Sequence, residues 1–176
     1  MVSRRLALLL AALAAMALTA PLTASATPGY CGLAWGSTDK HANPTTTAEL
    51  TNIRAGRQDC YDRLVIDLRG PADGYTVRYV PEMTEDPTGN PVPLRGGAIL
   101  SVKVDAPAYD EHGNLTYHPA NRAELVNVTG YQTFRQVAWA GSFEGQTLVG
   151  LGVRARLPFR VFTLPNRVVV DVAHFW

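Results

Sequence analysis

One seven-residue pattern occurs twice in this chain, from Asp62 to Leu68 and again from Asn166 to Val172. Each copy reads polar, Arg, aliphatic, Val, aliphatic, Asp, aliphatic. Both copies are rich in β-branched residues and alternate polar with apolar positions, which is the period of a β-strand. Two matching strands so far apart in the chain predict a β protein with internal pseudo-symmetry.

The duplication also predicts how the two strands pair. If they run antiparallel with Val65 opposite Val169, the arginine of each copy faces the aspartate of the other. Cross-strand pairs of opposite charge contribute only about 0.2 to 1 kcal/mol, so we interpret these charges as fixing the register of the strands. The two expected pairs are Arg63 with Asp171 and Arg167 with Asp67.

The amino-terminal residues predict export. Arg4 and Arg5 precede an apolar run from Leu6 to Ala20, and small residues follow at Ala24 to Ala26, which together indicate a signal peptide over residues 1–26. The apolar run is short for a membrane span, and no later segment approaches spanning length. We therefore expect a secreted or cell-envelope protein that is not inserted in the membrane after cleavage.

The charge balance disfavours nucleic acid as a partner. The chain has 16 Lys plus Arg against 15 Asp plus Glu, and two of the basic residues lie in the predicted signal peptide. A nucleic-acid binder normally concentrates basic residues on one face, whereas here Arg and Asp are interspersed along the strands.

Cys31 and Cys60 are the only cysteines, and an even number in an exported chain predicts a disulfide. Closing a loop of about 30 residues contributes roughly 3 to 4 kcal/mol by chain entropy. Neither cysteine has a histidine at a recognised ligand or catalytic spacing, so a metal or nucleophile role is disfavoured. The bond would attach an irregular arm, residues 27–47, to the strand that begins near Tyr61.

The remaining chain predicts an all-β domain over residues 48–176. Several of its strands alternate apolar with polar residues, which leaves one face of each sheet exposed to solvent. We therefore expect a β-sandwich, in which two antiparallel sheets cover each other's apolar faces, with a closed barrel as the alternative. Nine short runs carry strand signals, and no helix is convincing. The runs are 49–54, 61–68, 75–80, 98–104, 124–129, 134–140, 147–153, 160–164 and 167–172.

Two connections, 81–97 and 105–122, are long, and connections of that length are uncommon in compact domains unless they have a function or are disordered. We expect them to carry specificity. Gly150 and Gly152 lie in an alternating strand and do not open a helix, so they do not form a phosphate loop. They predict a bulge or a close backbone approach, or alternatively a flat platform on the sheet.

The sequence gives little support for a catalytic site or a metal site. Asp59 and Asp62 lie beside the predicted disulfide and are interpreted as solvating a strand entry, while the cluster 110–112 (Asp, Glu, His) is interpreted as a solvated turn. A metal site that joins this cluster with His118 is the less favoured reading. We expect no enzyme activity, no cofactor and no metal.

A binding role would use aromatic rings, which stack on sugar faces, and arginines, whose planar forks suit carboxylates. Large aromatics in a sandwich more often belong to the core, so this role competes with packing. The candidate contacts are Arg78, Tyr79, Arg135, Trp139 and Arg154.

Several segments in a fixed order resemble the AMIN-like family of exported actinobacterial proteins, from about Asn52 to the end of the chain. Two of these segments are the duplicated strands, and the second of them continues through Ala173 and His174. The others are residues 74–80, residues 143–145 together with 150–152, and residues 158–161. The family is related to the AMIN domain of cell-wall amidases, a β-sandwich of two symmetric sheets that binds peptidoglycan.

The resemblance implies a non-catalytic module that binds peptidoglycan or another cell-wall glycan. The alternative is a secreted module that binds an envelope protein or inhibits a hydrolase through the loop 105–122. Exposed edge strands invite pairing, so a monomer or a weak dimer is expected.

Overall fold

The computed structural model describes residues 29–44 and 47–176, and that part of the chain forms nine strands and one 3-10 turn at Tyr30–Gly32. The predicted signal peptide lies outside the described residues. Among those residues, no helix has the length and apolar character needed to cross a membrane. The strands are β1 (Lys40–Ala42), β2 (Glu49–Arg57), β3 (Tyr61–Arg69), β4 (Tyr75–Val80), β5 (Ala98–Val104), β6 (Phe134–Phe143), β7 (Gln146–Val153), β8 (Phe159–Leu164) and β9 (Arg167–Ala173).

The strands form two separate antiparallel sheets, so the predicted β-sandwich is confirmed and the closed barrel is not found. One sheet has five strands in the order β1-β4-β5-β7-β6, and the other has four in the order β2-β3-β9-β8. Their facing sides bury aliphatic residues at alternate positions, as half-buried strands require. Fully buried examples are Leu64, Ile66, Val168 and Val170 in one sheet and Leu100, Val102, Val149 and Leu151 in the other.

The predicted register of the two duplicated strands is confirmed. β3 and β9 lie side by side in the four-stranded sheet, with Val65 opposite Val169. Both predicted charge pairs are directly opposed. They are Arg63 with Asp171 and Asp67 with Arg167.

The outer strands of this sheet complete a pseudo-twofold arrangement. The hairpin β2–β3 corresponds to the hairpin β8–β9, and each supplies one more arginine to the face that points away from the core. Arg54 of β2 donates to Asp67, and Arg160 of β8 donates to Asp171. Each duplicated aspartate is therefore bridged to an arginine on both neighbouring strands.

The predicted strand over 124–129 is wrong. This segment consists of bends and a turn, and its backbone reaches β6 through the Leu125 amide, which donates to the Val137 carbonyl at 2.8 Å. The Asn127 side chain accepts the Thr129 amide and turns the chain. Its apolar residues pack against the open side of the core, so their hydrophobicity reflects burial without a strand.

The amino-terminal arm, predicted to be irregular, contributes the short strand β1. Lys40, His41 and Ala42 pair with β4 and form an edge strand of the five-stranded sheet. Three residues are too few to show a period, so the alternation on which strand prediction depends had nothing to detect.

The connection 81–97 lies across the outer face of the five-stranded sheet. A Cβ atom at Gly150 would be 2.6 Å from Cδ1 of Leu94, and one at Gly152 would overlap the Arg95 carbonyl oxygen. The expectation of a close backbone approach at these glycines is confirmed. The flat-platform alternative is wrong, because the loop occupies the space that the glycines leave.

The second long connection closes one open side of the sandwich, between β2 and β6. The Leu50 amide donates to the Pro107 carbonyl at 2.8 Å, and the Thr116 hydroxyl donates to the Leu50 carbonyl at 2.7 Å. The loop is thereby fastened to an edge strand at two points, and it presents its far side to solvent.

Candidate functional site

The outer face of the four-stranded sheet has a buried carboxylate at its centre. Asp171 is fully buried, yet its side chain points away from the core and receives two guanidinium groups. Arg63 donates Nε to Oδ1 at 2.6 Å and Nη2 to Oδ2 at 2.9 Å. Arg160 donates Nε to Oδ2 at 2.8 Å. Two cations on one anion leave this cluster with a net charge of about +1.

Strand alternation and register bring these groups together. Arg160, Asp171 and Arg63 occupy directly opposed positions on β8, β9 and β3, so they form one row across the sheet. The next row on the same face contains Phe162, Val169 and Val65. Side chains two residues apart in a strand share a face, which is why each arginine stands beside an apolar row.

Aromatic rings hold the two guanidinium planes. The Arg160 guanidinium lies 4.9 Å from the ring centre of Phe162, 5.3 Å from that of Tyr61 and 5.5 Å from that of Trp35. The Arg63 guanidinium lies 5.2 Å from Tyr61 and 5.4 Å from Phe162. Such contacts contribute about 0.5 to 2 kcal/mol each, so the arginines are fixed on two sides.

The amino-terminal arm extends this aromatic surface. Trp35 lies 5.8 Å from Tyr61 between ring centres, and Tyr30 lies 6.5 Å from Trp35 and 6.1 Å from Phe175. The Trp35 indole donates to the Tyr30 carbonyl at 2.7 Å. The arm's rings therefore form a continuous line with the ring that begins β3.

The disulfide predicted between Cys31 and Cys60 is present. Cys31 follows Tyr30, and Cys60 precedes Tyr61. The bond therefore holds the arm beside β3 at the place where its two rings meet the sheet. We call the surface formed by Tyr30, Trp35, Tyr61, Arg63, Arg160, Phe162 and Asp171 the arginine–aromatic face.

This face offers donors and rings to a ligand. Hydrogen bonds from Nε and Nη2 to Asp171 raise the pKa of Arg63 above its ordinary value, so it is charged at any physiological pH. Within the described chain, Nη1 of Arg63 and Nη1 of Arg160 have no hydrogen-bond partner. About a quarter of each side chain is exposed. A ligand with carboxylate or hydroxyl oxygens and an apolar face fits these groups.

The symmetry-related position is different in character. Asp67 is partly exposed, and its partners Arg54 and Arg167 are about half exposed. No aromatic ring contacts either arginine in the described structure. The same strand pattern thus produces an ordinary surface ion-pair cluster in one half and a ring-lined, desolvated one in the other.

The predicted contacts Arg78 and Tyr79 lie on opposite faces of β4. Arg78 is exposed on the outer face of the five-stranded sheet. The Tyr79 hydroxyl donates to the Leu157 carbonyl at 2.7 Å and accepts the Leu157 amide at 3.0 Å. Burial raises the pKa of Tyr79 to about 12. The hydrogen-bonding capacity of Tyr79 is therefore used inside the fold.

The other three predicted contacts lie apart from these. Arg135 donates to carbonyls of its own turn, including that of Tyr131, and Arg154 donates to the carbonyl of His174. Trp139 lies 5.7 Å from Tyr117 between ring centres and lines an open groove of about 470 Å³ beside the loop 105–122. The structure brings none of the five predicted contacts into the arginine–aromatic face.

The acidic candidates have structural partners. The expectation that Asp62 solvates a strand entry is wrong, because Asp62 is fully buried. One of its oxygens accepts the amides of Thr133 at 2.6 Å and Phe134 at 2.9 Å, and the other lies 3.2 Å from Nε2 of His174. The Asn114 side-chain amide donates to Asp110, as do the backbone amides of Asn114 and His112, and these hydrogen bonds lower the pKa of Asp110. Across residues 29–44 and 47–176, no group of three or more His, Cys, Asp or Glu is arranged to hold a metal ion.

Five residues of the arginine–aromatic face had no predicted role, although one signal was available. Arg160 and Phe162 alternate with Val161 in the same way that Tyr61 and Arg63 alternate with Asp62. Only the register shows that these pairs face each other across Asp171. The missed residues are Tyr30, Trp35, Tyr61, Arg160 and Phe162.

Comparison with known proteins gives a family match. Residues 48–174 match the family model of the AMIN-like domain, which covers most of the described chain. No curated protein and no solved structure matches.

Proposed function

Since the chain belongs to the AMIN-like family, we propose that it is a secreted, non-catalytic module of the cell envelope that binds peptidoglycan or another cell-wall glycan. The proposed binding surface is the arginine–aromatic face. The family resemblance supports the ligand class, and the geometry of the four-stranded sheet supports the choice of surface.

The observation that carries the proposal is the pair of guanidinium groups held over aromatic rings by one buried carboxylate. An exposed arginine loses conformational entropy when it binds a ligand. Arg63 and Arg160 have already lost much of it, because Asp171 fixes their forks and Phe162 and Tyr61 pack against their planes. A preorganised donor pair is expected of a binding surface.

The chemistry of a cell-wall glycan suits this surface. Sugar rings present apolar C–H faces, which stack on Trp35 and Phe162, and hydroxyl oxygens, which accept from the free guanidinium nitrogens. Peptidoglycan also carries carboxylates on its lactyl and peptide groups, and the net positive charge of the cluster attracts them. The two rings and two arginines lie on one continuous surface.

A sedimentation assay with purified peptidoglycan tests the proposal. We expect Phe162→Ala to lower the bound fraction at least fivefold, because it removes a ring that contacts both guanidinium groups. Leu164→Ala is the matched control, since Leu164 lies on the same strand and face and is 41% exposed, but it is opposite Arg167 and lies two rows from Asp171. Circular dichroism and thermal melting establish that both variants fold.

Two results would contradict the proposal. One is equal loss of binding in the two variants, which would show a general effect of truncating apolar side chains on β8. The other is absence of binding by the unmodified protein to both peptidoglycan and its soluble disaccharide-peptide fragments.

A second candidate function is binding of an envelope protein through the loop 105–122. Leu115 is 65% exposed near the far end of this loop, where Tyr109 and Leu115 form an isolated bridge. The adjoining groove contains the half-buried rings of Tyr117 and Trp139. An exposed apolar side chain beside an aromatic groove is typical of a protein contact.

Cross-linking in intact envelopes distinguishes the two functions. A photoreactive residue at Leu115 captures a protein if the loop is the binding element, whereas one at Phe162 labels glycan material if the arginine–aromatic face is. Capture of protein by Phe162 alone would contradict both assignments.

A further inference from the structure

A second polar surface lies on the opposite side of the sandwich. On the outer face of the five-stranded sheet, the connection 81–97 leaves one corner uncovered, and a cavity of about 400 Å³ opens there. Strands β4 and β5 form its floor. Four polar side chains line that floor: Thr76, Arg78, Ser101 and Lys103.

Strand register makes these four residues neighbours. Thr76 is directly opposite Lys103, and Arg78 is directly opposite Ser101. The two cations are thus diagonal neighbours, which places their α-carbons about 7 to 8 Å apart. Both side chains are long enough to reach one group between them, and a hydroxyl stands beside each.

Neither cation has a partner among the residues that the structure describes. Nearly every other described Lys or Arg forms a hydrogen bond, an ion pair or a ring contact, as Arg54, Arg122 and Arg156 do. Within the part of the chain that the structure describes, Arg78 and Lys103 form no hydrogen bond, ion pair or ring contact. Two like charges about 7 to 8 Å apart repel each other by about 0.5 kcal/mol in water, and an anion held between them replaces this repulsion with two attractions.

The wall of the cavity sets the charge of that anion. Glu82 also lines it and is exposed, but it forms no ion pair with either cation. Two positive groups and one negative group give the cavity a net charge of about +1. This balance matches one phosphodiester, which carries a single negative charge shared by two oxygens, better than it matches a doubly charged phosphomonoester.

From this geometry we infer that Thr76, Arg78, Ser101 and Lys103 form a binding site for a phosphodiester group. The Arg78 fork takes two phosphate oxygens, Lys103 supplies a point charge, and the two hydroxyls donate to the remaining lone pairs. The site is separate from the arginine–aromatic face, because it lies on the other sheet and shares no residue with it. The protein would then bind two different ligands on its two outer faces.

The probe for the test is a linear poly(glycerol phosphate), titrated into the full-length protein by isothermal calorimetry at low salt. We expect Arg78→Gln and Lys103→Gln each to weaken binding about tenfold, the value of one charge-assisted hydrogen bond. Arg57→Gln is the matched control, since Arg57 is exposed on β2 in the other sheet and forms no ion pair with a described residue. Its affinity should equal that of the unmodified protein.

Glu82→Gln provides a variant with the opposite sign. Removing the one negative group from the cavity is expected to tighten binding about two- to threefold, and added salt should reduce the difference. A variant that improves affinity does not depend on a loss of folding. No change, or weaker binding, in Glu82→Gln would overturn the assignment of this cavity.

A phosphodiester occurs both in polymers and in lipid headgroups, and vesicles separate these sources. Vesicles of three parts phosphatidylcholine to one part phosphatidylglycerol are compared with the polymer. Binding of the polymer alone assigns the site to a soluble or wall-linked chain, and binding of vesicles that requires Arg78 and Lys103 assigns it to a lipid. The inference is overturned if the double variant binds either probe as tightly as the unmodified protein, or if the unmodified protein binds neither.

Discussion

Replacing Asp171 with Asn tests whether the buried carboxylate holds the arginine–aromatic face together. Asp171 is fully buried and receives four guanidinium contacts of 2.6 to 2.9 Å from Arg63 and Arg160. Removing one partner of a buried ion pair costs about 3 to 5 kcal/mol. Since both arginines are about a quarter exposed and keep access to water, we expect a loss of about 2 to 4 kcal/mol.

The pseudo-symmetry supplies the control. Asp67→Asn makes the same chemical change at the corresponding position, where the carboxylate is 22% exposed and Arg54 and Arg167 are about half exposed. Exposed pairs contribute about 0.2 to 1 kcal/mol each, so the loss should be about 1 kcal/mol in total. The two variants differ in burial and in ring contacts, while the change of charge is identical.

Urea unfolding at neutral pH, followed by far-ultraviolet circular dichroism, measures both free energies. A domain of this size loses about 2 to 4 °C of melting temperature per kcal/mol, so thermal melting gives an independent value. The reasoning is refuted if Asp171→Asn and Asp67→Asn lower the free energy of unfolding equally. It is also refuted if Asp171→Asn is the more stable of the two.

Three further predictions concern other parts of the fold. Burial raises the pKa of Tyr79 to about 12 from about 10 in the unfolded chain, so the folded state keeps a proton that the unfolded state has lost. Stability should therefore fall as pH rises from about 10 to 12, and Tyr79→Phe should remove this component in unfolding curves measured across that range. Replacing Cys31 and Cys60 with Ser opens a loop with a sequence separation of 29. This change should lower the free energy of unfolding by roughly 3 to 4 kcal/mol. Unchanged tryptophan fluorescence and unchanged stability would show that the bond does not hold the arm. Gly152→Ala places a Cβ against the Arg95 carbonyl and should lower the free energy of unfolding by about 3 kcal/mol. Gly56→Ala, whose Cβ meets nothing closer than 3.7 Å, should lower it by less than about 0.5 kcal/mol. Equal melting temperatures for the two variants would contradict the close approach of the loop.

The register of the central strands could be predicted from sequence because all of its determinants lie within the strands. Alternation defines the faces of β3 and β9, and opposite charges at matching offsets select one alignment, with Arg63 opposite Asp171. The segment 124–129 misled the prediction because its apolar residues serve packing at an open side. The apolar residues of this segment are needed for burial, and a segment can be buried without forming a strand.

The arginine–aromatic face could not be predicted, for a different reason. Its rings come from the arm, from β3 and from β8, and they meet only after the disulfide and two pairings have formed. The sequence shows Arg63 and Asp171 as a pair, but it does not show that Arg160 shares the same carboxylate. Which of the two aspartates is buried depends on the neighbours that tertiary structure provides.

The charges on the outer face also disfavour a shifted register between β3 and β9. If β9 slid along β3 by two residues, every inward side chain would still point inward, so hydrophobic burial alone would tolerate the error. That displacement would set Arg63 against Val169 and Arg167 against Val65, and both ion pairs would separate at once. Because both strands carry the pattern, a shift in register breaks two ion pairs. A substitution that removes one of these pairs leaves the other to favour the correct register.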